Sequence, residues 1–161
     1  MKRPAMLAAV GMLVLLSEIQ PTLSDDLNVK PVTDPIVRKE CSACHMLYPA
    51  GLLPARSWTT LMDGLASHFG ENAELDDALR RSITEYLTAN SADSGGRTNK
   101  MLRGLARKVT PVRITELPYW KRKHERKSRV SPETLKRRGA RTPADCKACH
   151  TGAEKGRFDD D

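Results

Sequence analysis

Two five-residue strings constrain this chain more than any other feature in it: Cys41-Ser-Ala-Cys44-His45 and Cys146-Lys-Ala-Cys149-His150. Each reads C-x-x-C-H, the pattern by which a c-type haem is attached. The spacing has a chemical reason. Two thiols one helical turn apart can each add to one vinyl group of the same porphyrin. The histidine that follows then lies under the iron as an axial ligand. All four cysteines of the chain, Cys41, Cys44, Cys146 and Cys149, are used this way, and no thiol is left over for a structural disulfide.

The histidines sharpen the reading. There are four: His45 and His150 inside the motifs, His68 and His124 outside them. Two irons with two axial positions each would use all four as metal ligands. An iron held by two imidazoles is low-spin, has no open position for a substrate, and moves electrons. A lone C-x-x-C can instead be a zinc half-site or a thioredoxin-like redox pair, and two such pairs could share one zinc. The histidine directly after both pairs argues against that, as does the export signal. For His68 and His124 the plainer alternative is an ordinary surface or core residue.

Met1-Lys2-Arg3 followed by an apolar run from Ala5 to Leu16 has the form of a secretory signal. The run is too short for a comfortable membrane span, and Glu18 closes it. Small residues at Thr22-Leu23-Ser24 put the signal at residues 1–24 and the mature start near Asp25; an uncleaved anchor is the alternative. No cysteine lies near the cleavage point, which leaves a lipid-modified terminus unsupported. Covalent haem attachment in bacteria takes place outside the cytoplasmic membrane, so the expected compartment is the periplasm.

Aromatic content is 4% and mean hydropathy −0.51. A mature chain of about 135 residues with that composition buries little apolar surface of its own. Two porphyrins would supply the missing core, and the protein without haem is expected to fold poorly. Net charge is +7 with a pI near 9.4, but the haem propionates bring the mature holoprotein closer to neutral. The unevenness of charge matters more than the total.

Residues 25–34 read as an extended lead-in. Thr33 or Asp34 caps a helix with Pro35 at its first position, running from Ile36 to about Leu47 and carrying the first motif. Pro49, Gly51 and Pro54 mark a loop at the porphyrin edge. Ser57 is the expected cap of a second helix and Gly70 its stop, with Trp58, Leu61, Met62, Leu65 and Phe69 forming one apolar face. His68 lies one turn beyond Leu65, close to that face. Met62 is the rival iron ligand there, with core packing the favoured reading. Asn72 caps a third helix, about Ala73 to Ala89, whose apolar stripe is packing.

Ser91-Ala-Asp-Ser-Gly-Gly-Arg97 is the clearest linker. Beyond it, residues 97–141 hold more than half of the Lys and Arg. Thr115 caps a short helix in which Trp120 and His124, four apart, share a face. Ser131-Pro-Glu opens another, and Thr142-Pro143 opens the helix of the second motif. The basic stretch reads as a solvated face that also neutralises propionates, or as a docking patch for an acidic redox partner. Nucleic-acid binding does not suit an exported haem protein.

These segments resemble the diheme cytochrome c family of bacterial electron-transfer proteins. The resemblance rests on residues 41–58, His68-Phe-Gly-Glu-Asn72, Arg113-Ile-Thr-Glu-Leu-Pro-Tyr-Trp leading to His124, and residues 146–160. It spans essentially the whole mature chain. It implies a mainly α fold: a class I cytochrome c-like amino-terminal lobe, residues 25–92, and a more irregular, short-helix carboxy-terminal haem lobe, residues 93–161. It implies two covalently bound c-type haems, each held by two histidines, with His68 carried to the first and His124 to the second. Which distal histidine reaches which iron is not fixed by the sequence. The implied function is electron relay without enzymatic activity, between a b-type membrane cytochrome and a small oxygen-binding haem protein, with membrane contact only through partners. A haem peroxidase, reductase or gas sensor would need one open iron, and hence His68 or His124 not to be a ligand.

Overall fold

The computed structural model describes residues 27–94, 100–125 and 130–158. The expected signal (1–24), the end of the linker, residues 126–129 of the basic stretch and the acidic tail 159–161 lie outside the described residues. The fold is mainly helical. In chain order it comprises β1 (Leu27–Asn28), α1 (Pro35–Cys41), α2 (Ala55–Asp63), α3 (Asp77–Ala89), α4 (Pro118–His124), α5 (Pro132–Arg138) and β2 (Arg157–Phe158). Single 3-10 turns, including Leu65–Ser67, Ile114–Glu116 and Cys146–Ala148, join them.

Local chemistry starts the helices. Asp34 Oδ1 accepts from the backbone N–H groups of Ile36 and Val37 at 2.9 Å each, with Pro35 at the first position of α1. Ser131 Oγ accepts from Thr134 N at 3.2 Å and Pro132 opens α5; Gly139, at φ +67, closes it. Pro118 opens α4. These three helices have seven residues each, too few to stand without tertiary contacts.

Several elements differ from the sequence expectation. α1 stops at Cys41, so Cys44 and His45 lie in the turn after it and not on a helix reaching Leu47. α2 begins at Ala55 after Pro54, and Ser57 is buried inside it instead of capping it. Gly64 ends α2, where its N–H bonds to Leu61 O, and a 3-10 turn follows; His68 and Phe69 are therefore not on the helix. α3 is capped by Asp76, while Asn72 Oδ1 accepts from Glu74 N in a tight turn. Leu117, not Thr115, occupies the cap position of α4. The second motif forms only a 3-10 turn, with no helix from Thr142.

α2 packs on α3, burying Trp58, Met62 and Leu65 with Ile83 and Leu87. The Trp58 indole donates to the Ala50 carbonyl at 2.7 Å. The same apolar cluster continues through Ala92, Met101, Leu102, Leu117, Tyr119 and Trp120, so the core does not break at the linker. β1 and β2 pair antiparallel, Leu27 opposite Phe158, which fastens the first described residues to the last. Among the described residues no helix is long and apolar enough to cross a membrane.

Candidate haem centres

The structure sorts the four histidines into two pairs. The His45 and His68 rings face each other with centroids 6.2 Å apart and planes inclined by 25°. The His124 and His150 rings stand 6.0 Å apart at 86°. A metal–imidazole bond of about 2.0 Å and a nitrogen about 1.1 Å from the ring centre give a centroid separation of about 6.2 Å across a metal held linearly between two rings. Both pairs fit that separation. Each joins one motif histidine to one distant histidine, His45 with His68 and His124 with His150.

The hydrogen bonds prepare the rings. His45 Nδ1 lies 2.7 Å from Met46 O, and His124 Nδ1 lies 2.9 Å from Trp120 O. A carbonyl oxygen only accepts, so in both rings Nδ1 carries the proton and Nε2 keeps its lone pair for a metal. Burial, and then the charge of the neighbouring His45, push the His68 pKa down from its ordinary value. The expected shared face of Trp120 and His124 is present: their rings stack at 4.3 Å with planes 12° apart. Met62, the rival ligand, is buried in the core on α2.

The thiols lie in the same motifs as His45 and His150. Burial, and then the Glu40 carboxylate, push the Cys41 thiol up; burial pushes Cys146 up to about 11. Cys146 Sγ donates to Ala144 O at 3.3 Å, and His150 N donates to Cys146 O at 2.8 Å, which folds the second motif back on itself. Among the described residues no three His, Cys, Asp or Glu side chains converge as a metal-ion cluster, so the two C-x-x-C pairs do not assemble the shared zinc site weighed from the sequence.

Several contacts were not legible in the sequence. Tyr48 stands between the motifs: its ring is 5.1 Å from that of His45, and its O–H donates to Ala144 O at 2.9 Å. Burial first, then the proximity of Cys146 and Asp145, push this phenol up to about 12. His68 opens a two-residue hairpin closed by His68 N to Glu71 O (2.8 Å) and Glu71 N to His68 O (3.2 Å). Both turn residues, Phe69 (φ 56) and Gly70 (φ 103), are left-handed. Phe69, expected on the apolar face of α2, is instead 46% exposed, with the Arg113 guanidinium 4.0 Å over its ring. Phe158 on β2 meets the His150 ring at 5.8 Å. Gly70 was expected as the stop of α2 and instead completes this turn; nothing local marked Tyr48, Arg113 or Phe158.

The family model for dihaem cytochrome c matches residues 37–158, most of the chain and both histidine pairs. The chain belongs to this dihaem cytochrome c family. The diheme cytochrome c from Rhodobacter sphaeroides is 56% identical, with a TM-score of 0.72, covering 81% of this chain and 99% of that one. A second structure, DHC purified from the same organism, gives 54% and 0.65, with 80% and 99% covered. The diheme cytochrome type c from Shewanella baltica OS155 gives 34% and 0.60, with 78% and 86% covered. No curated protein sequence matches. As a dihaem cytochrome c, the protein carries two covalently bound c-type haems.

Proposed function

We propose that this dihaem cytochrome c is a single-electron relay in which each iron is closed by two histidines, His45 with His68 and His124 with His150. The observation that carries the reading is the pair of ring separations, 6.2 and 6.0 Å, each suited to one metal and too close for a substrate as well. Cys41 and Cys44 would attach the first haem, Cys146 and Cys149 the second. The haem, when bound, supplies the one-electron couple. The chain's own part is to hold and orient. The Met46 and Trp120 carbonyls fix the tautomer of one ring in each pair. Trp120 stacks on His124, and the His68 hairpin aims its imidazole at His45. Tyr48 links the surroundings of the two centres through one ring contact and one hydrogen bond, a short route between them.

The same reading includes export by a signal over residues 1–24 to the periplasm, and an amino-terminal and a carboxy-terminal haem lobe meeting near residue 92. It includes exchange with a b-type membrane cytochrome on one side and a small oxygen-binding haem protein on the other, without enzymatic turnover. The support for these is the form of the amino terminus and the family resemblance.

The test is the optical spectrum of the reduced holoprotein with and without carbon monoxide, for the unaltered chain, His68→Ala and His124→Ala. The unaltered spectrum should be low-spin and unmoved, and each substitution should open half of the haem to carbon monoxide. A shift in about half of the haem before any substitution would overturn the closed-iron reading in favour of an enzyme or gas-binding protein.

A further inference from the structure

The charge of this chain is divided by position. Residues 25–96 hold six Lys and Arg against eleven Asp and Glu, whereas residues 97–141 hold sixteen against three. Described side chains of the basic segment are exposed, among them Arg103, Arg107, Lys108, Lys121, Lys136 and Arg138. None of these six has a carboxylate within 4.0 Å among the described residues, whereas Arg56 and Arg80 in the acidic half pair with Asp93 and with Asp63 and Asp77.

Part of the basic segment adjoins His124 and the second motif along the chain. α4 presents Lys121, Arg122 and Lys123 immediately before His124. α5 ends in Lys136, Arg137 and Arg138, and Arg141 follows on the way to Cys146. Two haems bring two propionates each, which at most neutralises four of an excess of thirteen cations (sixteen less three). The six exposed cations named above, with no carboxylate near them among the described residues, already outnumber the four propionates. An anionic lipid surface is the poorer match, because an interfacial helix adds an inserted apolar face to its electrostatic attraction. Tyr119 and Trp120 of α4 are buried, and among the described residues the exposed large apolar ones, Ile36, Phe69 and Val109, are scattered along the chain.

We infer that the basic surface carried by the described residues of 100–125 and 130–141 is the docking face for an acidic one-electron redox protein, which exchanges its electron with the haem of the His124–His150 pair. The inference rests on the relay reading and adds the face, the partner's charge and the centre used. Steering by such a face speeds encounter and falls with salt.

Small redox ions of opposite charge test it on the reduced holoprotein by stopped flow. Hexacyanoferrate(III) takes one electron from a haem and becomes hexacyanoferrate(II); tris(phenanthroline)cobalt(III) does the same as a cation. Between about 10 and about 200 mM salt the hexacyanoferrate rate should fall by about tenfold while the cobalt rate does not fall. The variant K121E/R122E/K136E should lower the low-salt hexacyanoferrate rate by about tenfold, and E74K/E85K, on the acidic half, should leave it within about twofold. Each variant must keep the unaltered optical spectrum; Lys136→Glu alone serves if the triple variant yields no holoprotein. Equal salt responses, or an equal effect of the two variants, would overturn the docking face. Salt-sensitive co-sedimentation with phosphatidylglycerol vesicles that the triple variant abolishes would overturn it in favour of lipid. Failure of both ions to oxidise the haems would instead sink the relay reading itself.

Discussion

Gly156→Ala should damage the second centre from a distance. Gly156 sits at φ +76, and a Cβ built there would lie 1.9 Å from Val29 O and 2.9 Å from Val29 C. Those are backbone atoms, so the overlap is relieved only by moving the strand. Three costs follow. The left-handed conformation costs an alanine about 1–2 kcal/mol. Loss of the 2.9 Å bond from Val29 N to Gly156 O removes about 1 kcal/mol. Exposure of Leu27, now 8% exposed opposite Phe158, removes about 1.5–2 kcal/mol. Together that is about 4 kcal/mol, or a fall in Tm of about 15 °C for a chain of this size. Gly139→Ala is the control: it too is left-handed, at φ +67, but its Cβ would meet nothing within 4 Å. It should lose about 1–2 kcal/mol, roughly 5 °C. Thermal unfolding of the two holoproteins, followed by far-ultraviolet dichroism, measures both. Equal Tm values for the two variants would refute the steric argument. Because β2 carries Phe158 against His150, Gly156→Ala should also alter the spectrum of about half of the haem, and Gly139→Ala should not.

Other consequences follow from the same contacts. Tyr48→Phe should cost about 1 kcal/mol for its lost bond to Ala144. The folded phenol is raised to about 12 from 10.0, so its stabilisation is complete below pH 10 and lost as pH rises toward 12; the variant should show a shallower alkaline decline in chemical denaturation. Asp34→Ala removes the acceptor of two backbone N–H groups and should lower holoprotein stability by about 1 kcal/mol in the same assay. Arg113→Gln removes the guanidinium from the Phe69 face, costs about 0.5–1 kcal/mol, and should loosen the His68 hairpin enough to speed displacement by exogenous imidazole.

What was legible in the sequence was what local chemistry decides. The paired motifs, the four histidines, the Asp34-Pro35 and Ser131-Pro132 starts and the Trp120–His124 face each depend on residues within one or two turns. The errors have one cause: helix length and fine placement are settled by distant partners. The steps from Trp58 to Met62 describe α2 correctly, but Gly64 ends it before Leu65, and His68 is carried by a hairpin with two left-handed residues. Phe69 satisfies the helical spacing yet is turned out under Arg113, 44 positions away. Tyr48 reaches Ala144 across 96 positions, and Leu27 reaches Phe158 across the whole described chain. No periodicity reports such pairs.

The most direct test of two closed irons is the electron paramagnetic resonance of the oxidised holoprotein, because ring orientation governs the low-spin ferric signal. Nearly parallel imidazole planes give a rhombic signal with three resolved features, and perpendicular planes give a single broad low-field feature. With planes at 25° in one pair and 86° in the other, the account requires one signal of each kind in equal amounts. A high-spin signal from half of the iron, or two identical low-spin signals, would contradict it.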